Sequence, residues 1–238
     1  MRLSSRAAAL LAVAALPLAL SACSSDSSSG NGASAKPAKA ENPNAGLLTG
    51  TQLKKALAPA SAFPAGFTLE ADGASDSGGK FLAPSSRKTA KPDCTRLEAT
   101  SWIQVTGFEG GVSFAQDDYV NKDKTEEVAQ EMDAFQGSTA KTVMKQLQSV
   151  AAQCATFTDT DTHAKVKVTG RSTAGLGDEA YTMTLTSGAW ETGTTLIATR
   201  SGDTVITVLS TAGSDDGAAA AKKVTTRVLG SLKGASAA

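Results

Sequence analysis

Residues 164–210 read AKVKVTGRSTAGLGDEAYTMTLTSGAWETGTTLIATRSGDTVITVLS, and this stretch decides the fold. In 164–170 Ala164, Val166 and Val168 alternate with Lys165, Lys167 and Thr169, the pattern of a strand with one wet face. In 180–186 Tyr181, Met183 and Leu185 alternate with threonines. Two further strands are expected at 190–200 and 203–210, joined at Ser201-Gly202-Asp203. The run Val205-Ile206-Thr207-Val208-Leu209 lacks alternation, as a strand covered on both faces would. Short glycine-bearing connections make the whole an antiparallel meander of hairpins.

Helical spacing brackets this block. Val143, Leu147, Val150 and Cys154 recur on one face of a helix over 138–154, turning Cys154 inward. Val224, Val228 and Leu232 do the same over 214–232, with Asp215 and Asp216 near the start and Lys222, Lys223 and Arg227 further along, as the helix dipole favours. Upstream, Thr49 and Gln52 have the spacing of a capping box, Leu48 and Leu53 that of a hydrophobic staple, and Pro59 ends the helix. A short strand at Phe67 and Leu69, a short helix in 94–105 and a strand over 112–120 are expected. Residues 125–135 fit a helical stripe (Val128, Met132, Phe135) and a strand equally well. The expected fold class is α+β: an antiparallel sheet meander with helices packed on it, in a single domain over residues 47–233.

The N-terminus carries an address. Arg2 and Arg6 precede fourteen small or apolar residues, Ala7 to Leu20, too few to span a bilayer and typical of an export signal. Leu20-Ser21-Ala22-Cys23 then has the form of a lipobox, in which small residues suit the peptidase cleft and the Cys23 thiol takes the diacylglycerol. Residues 1–22 read as a lipoprotein signal peptide. Residues 23–46 read as the lipidated cysteine and a Ser/Ala/Gly-rich tether, which lacks the apolar side chains needed to fold. As a flexible coil it would span about 25–30 Å. Two acyl chains suffice for stable anchoring. Residues 234–238 read as a C-terminal tail.

Charge narrows the partners. Lys plus Arg is 23 and Asp plus Glu is 23, so no basic excess suits nucleic acid. Loss of Arg2 and Arg6 with the leader leaves 21 cations against 23 carboxylates, a net of −2, which gives little attraction to an anionic bilayer beyond the anchor itself. Aromatics make up only 5% of the chain, and there is one His and three Cys, so a multi-histidine metal site is excluded. With Cys23 acylated, Cys94 and Cys154 remain, an even pair that reads as one disulfide in an exported chain.

Catalytic motifs are absent or incomplete. Ser138-Thr139-Ala140-Lys141 matches S-x-x-K without its S-D-N and K-T-G companions, and Ser138 is a favoured N-cap. Gly175-Leu176-Gly177-Asp178-Glu179-Ala180 matches a dinucleotide fingerprint, yet it opens a strand where that motif needs a helix, so it reads as a tight turn. Asp159, Asp161 and His163 read as a solvated turn, and Asp117, Asp118, Asn121 and Asp123 as loop residues, since neither set completes a calcium loop. There is no G-x-S-x-G for His163 to serve. Glu70, Asp72, Glu126, Glu127 and Asp178 are scattered carboxylates. No enzyme, cofactor or metal is expected.

The lipobox, the Ser/Gly/Ala tether, the LLTxxQL opener (Leu47 to Leu53), the G-L-G-D-E-A turn before a strand and the Cys94/Cys154 pair together resemble actinobacterial cell-surface lipoproteins bearing the extracellular sensor domain of the mycobacterial kinase PknH. The resemblance implies an α+β domain with a cleft for an extracellular ligand. The family's domain usually has two disulfides, and this chain has cysteines for one. The expected function is a non-catalytic sensor or ligand-binding lipoprotein on the extracytoplasmic face of the cell membrane. Its partners would be the membrane, through the anchor, and an extracellular ligand or envelope protein. The alternative is a lipid or glycolipid carrier of the cell envelope.

Overall fold

The computed structural model describes residues 42–88, 90–99 and 102–236. The expected signal peptide, Cys23 and most of the expected tether lie outside them. Pro43 onward forms one unit. Its strands are β1 (Thr68–Leu69), β2 (Ser75–Asp76), β3 (Ser113–Val120), β4 (Glu127–Ala134), β5 (Thr156–Thr158), β6 (Lys165–Ser172), β7 (Glu179–Ser187), β8 (Thr194–Ser201) and β9 (Thr204–Ser210), and its helices are α1 (Gly50–Ala56), α2 (Thr139–Gln153) and α3 (Ala218–Ser236).

These nine strands form one antiparallel sheet in the order β1-β3-β4-β9-β8-β7-β6-β5, with β2 also on β3. The fold class is α+β, as the alternation in 164–210 implies. The meander runs from β5 to β9, and β9 then inserts beside β4. That places β9 in the interior of the sheet, where Val205 and Leu209 join one apolar layer and Ile206 and Val208 the other. Helix α2 covers β6 to β9 on the first side, while α3 covers β4, β8 and β9 on the second, beside α1 on β3.

Local chemistry explains the boundaries. Thr49 and Gln52 form the expected capping box, with the Gln52 N–H donating to Thr49 Oγ1 and the Thr49 N–H to Gln52 Oε1. The 125–135 ambiguity resolves to strand β4. Val128, Met132 and Ala134 face α3 while Ala129, Glu131 and Asp133 face the other way, and because both faces are buried the sequence shows no alternation. The expected single helix over 94–105 is instead two 3-10 turns, Cys94–Glu98 and Trp102–Thr106, the first opened by Asp93, whose carboxylate accepts the Thr95 N–H. Helix α3 starts later than expected because Asp216 and Gly217 are left-handed (φ 57° and 79°), and it continues past residue 233. Asp215 accepts the Ala219 N–H, and Asp216 accepts that of Gly193. Ser138 precedes α2 without a side-chain capping bond. At the start of the domain the Leu47 N–H donates to Asn44 O, and Gln136 Nε2 donates to Asn44 Oδ1.

The G-L-G-D-E-A turn is structural. Gly175 and Gly177 have positive φ, Leu176 is buried between them, and Asp178 and Glu179 both bind Arg200. A Cβ on Gly177 would lie 2.3 Å from the Arg200 carbonyl oxygen, whereas one on Gly175 would meet nothing within 4 Å. Gly177→Ala is therefore expected to cost about 2 kcal/mol in chemical denaturation and Gly175→Ala clearly less. Equal losses would refute the packing argument.

Candidate functional site: a buried carboxyl pair on the sheet

Both sides of the sheet bury polar groups, and on the α3 side Thr195 Oγ1 has no hydrogen-bond partner among the described residues. On the α3 side Gln130 is fully served, its amide oxygen accepting the Ala58 N–H and its amide nitrogen donating to Ala58 O. On the α2 side, register sets Gln116 opposite Glu131 and Glu131 opposite Thr207, with Asp133 one pleat further along. All four are buried, and Asp133 is 1% exposed. They interrupt an apolar layer that includes Ala129 on the same face of β4 and Phe135 just beyond the strand's end. Asp118 lies opposite Ala129, next to them.

Glycine makes the site possible. A Cβ on Gly111 would fall 2.4 Å from Ala134 O, so only glycine lets the chain run this close to β4. The Gly111 N–H then donates to Asp133 Oδ1 at 2.7 Å. Burial pushes the Asp133 carboxyl up to about 6, against the opposing pull of that N–H and of a hydrogen bond with Glu131. A hydrogen bond between two carboxyl groups needs one proton, because two carboxylates offer no donor. Asp133 Oδ2 and Thr207 Oγ1 have no hydrogen-bond partner among the described residues. The strip can thus donate and accept, and its proton count changes in mildly acid conditions.

None of these residues stood out as a site in the sequence. The available signal was the i, i+2 spacing of Glu131 and Asp133, which puts both on one face once 127–134 is a strand. The residues that did stand out are placed elsewhere. Cys94 and Cys154 form a disulfide, with Cα atoms 5.5 Å apart, that joins the first 3-10 turn to the end of α2. Cys23 lies outside the described residues. Asp161 and His163 are exposed, but Asp159 is not solvated as expected. Burial alone would raise its pKa, yet the N–H groups of Thr162 and Asp161, the Trp190 indole and the Thr162 hydroxyl outweigh it and hold it at about 2. Asp117 and Asp118 lie within β3 rather than in a loop, and Asn121 closes the turn after it, accepting the Thr125 and Glu126 N–H groups. Among the described residues no group of His, Cys, Asp and Glu has the arrangement of a metal site, and no helix is long and apolar enough to cross a membrane.

Comparison with known proteins finds no matching family model and no similar curated protein. The likeness to sensor-bearing lipoproteins rests on the sequence motifs alone.

Proposed function

We propose that the protein is a lipid-anchored, extracytoplasmic module that binds a polar ligand without catalysis. The observation that carries this reading is the strip formed by Gln116, Glu131, Asp133 and Thr207. Asp133 Oδ2 and Thr207 Oγ1 are buried there without a hydrogen-bond partner among the described residues, which costs stability, and a polar ligand admitted to the strip recovers it. The lipobox at Cys23 and the Cys94–Cys154 disulfide support an oxidising, membrane-proximal location.

One observation supports a non-catalytic role: the sole histidine, His163, sits in an exposed turn and not on the strip. The carrier alternative calls for an enclosed apolar cavity. A hollow of about 420 Å³ lies instead at the surface, where Leu47, Leu48 and Leu232 share the lining with Ser201, Asp203 and Lys233.

Native mass spectrometry of the exported 43–238 segment tests the binding reading. A co-purified polar molecule whose retention falls with Glu131→Gln supports it. A bound lipid would favour the carrier instead. The anchor has its own test: Cys23→Ala is expected to release the protein from membranes or to block its processing. If that variant is processed and still sediments with membranes after high-salt washing, the anchor assignment fails.

A further inference from the structure

The α3 side of the sheet is covered only as far as β8, and beyond it β7, β6 and β5 present an open face. Pairing registers place Thr156 and Thr186 beside Lys167, Thr158 beside Lys165, Thr184 beside Thr169, and Thr182 beside Arg171. Of these residues Lys165, Lys167, Arg171, Thr156, Thr158, Thr169 and Thr186 are exposed, Thr184 is half-buried, and Thr182 is buried and hydrogen-bonded to Thr173. The face's one apolar side chain within these strands is Ala180, near the start of β7, which is buried. Among the described residues no carboxylate occupies these strand positions, although the folded part carries more acid than base. Among the described residues none of the three cations has an ion-pair partner; Lys165 only donates to Thr158 Oγ1, at 3.1 Å. Helix α3, which flanks the face, contributes Lys222, Lys223, Arg227 and Lys233 and no carboxylate.

Thr suits strands in general. What needs an account is the row of unpaired cations cleared of acid. From Lys165 to Arg171 the row runs about 20 Å, at ~3.3 Å per residue. We infer that this open face docks a linear polyanionic glycan, its carboxylate, sulfate or phosphate groups meeting the three cations and its hydroxyls meeting the threonines. The charge pattern favours such a polymer over a bilayer, because the face offers nothing apolar or aromatic to insert. It also favours it over a peptide strand, which would add to a sheet edge rather than lie across a face. The choice of a glycan rests on the extracytoplasmic reading above; the cationic face does not.

The test is retention of the 43–238 segment, whose two core layers are complete in themselves, on immobilised heparin. The segment is expected to bind at low salt despite its net negative charge. The variant K165Q/K167Q/R171Q is expected to bind at least tenfold more weakly, and Thr186→Glu, which sets a carboxylate opposite Lys167, to weaken binding as well. K122Q/K141Q/K145Q removes as much charge away from this face and is expected to change affinity less than twofold. Equal losses in the two triple variants, or no retention of the parent segment, would overturn the inference. So would heparin binding that the β6 variant leaves intact while it abolishes sedimentation with phosphatidylglycerol vesicles. Failure of the location reading would show separately, in the fate of Cys23→Ala.

Discussion

Cys94→Ser is expected to lower the unfolding free energy by about 4 kcal/mol, read as a fall in the urea midpoint. The disulfide closes a loop of 60 residues, and constraining a loop of that length removes about 14 cal/mol/K from the unfolded chain. For a domain with the usual total of about 5–15 kcal/mol, this is a large share. The surrounding structure gives a reason to expect the full effect. The segment between β2 and β3 has little regular hydrogen bonding, anchored by isolated bonds such as Leu82 N–H to Val112 O and Lys88 N–H to Gly107 O. Yet it delivers Leu97, Trp102, Ile103 and Phe108 to the apolar layer beneath α2. Cys154 is fully buried, so in the variant its polarisable thiol faces a hydroxyl in place of the bond. Reduction of the parent protein should reproduce the shift. An unchanged midpoint would mean that the packing of those side chains alone fixes the segment.

Asp133→Asn is expected to stabilise the protein at pH 7 by about 1–3 kcal/mol. The folded carboxyl binds its proton near 6, and the unfolded one near its ordinary value of 3.8. Between these values the folded state holds more protons, so the group's contribution is fully present below about 4 and is lost as pH rises through 6. Asn keeps the oxygen that accepts the Gly111 N–H and adds a permanent donor toward Glu131. Melting temperatures measured from pH 4 to pH 8 should show the variant gaining over the parent as pH rises. Parallel curves would show that no proton is taken up at this site. The gain should come with weaker ligand binding, as expected where a site is maintained at the expense of stability.

The sheet was legible where one rule dominated. Val166, Val168, Met183 and Leu185 alternate because one face of β6 and β7 is open, and Val205 to Leu209 lose alternation because β9 is covered twice. Strand β4 is covered twice as well, but it carries Glu131 and Asp133 in place of a second apolar row, so its pattern resembled a helix stripe. Strands β2 and β5 are two and three residues long, too short for any period to register. The carboxyl pair was hidden for the same reason as β4: acidic residues in an undecided segment read as solvated. Asp159 misled in the opposite direction. Its turn is polar, but Trp190, thirty-one positions away, closes over it, and nothing local signals that contact.

The place of β9 has a consequence for how the molecule is made. Its partner β4 is complete some seventy residues earlier in the chain, with Val128 set against Ser210. During synthesis, which proceeds from the N-terminus, β4 waits as an unpaired edge, with Val128 and Met132 on one face and the carboxyl pair on the other, until the last strand arrives. Contacts so distant in sequence form slowly. The interval between the emergence of β4 and the insertion of β9 is when this chain is most exposed to self-association, and a chain cut short before residue 204 would keep that edge open for good.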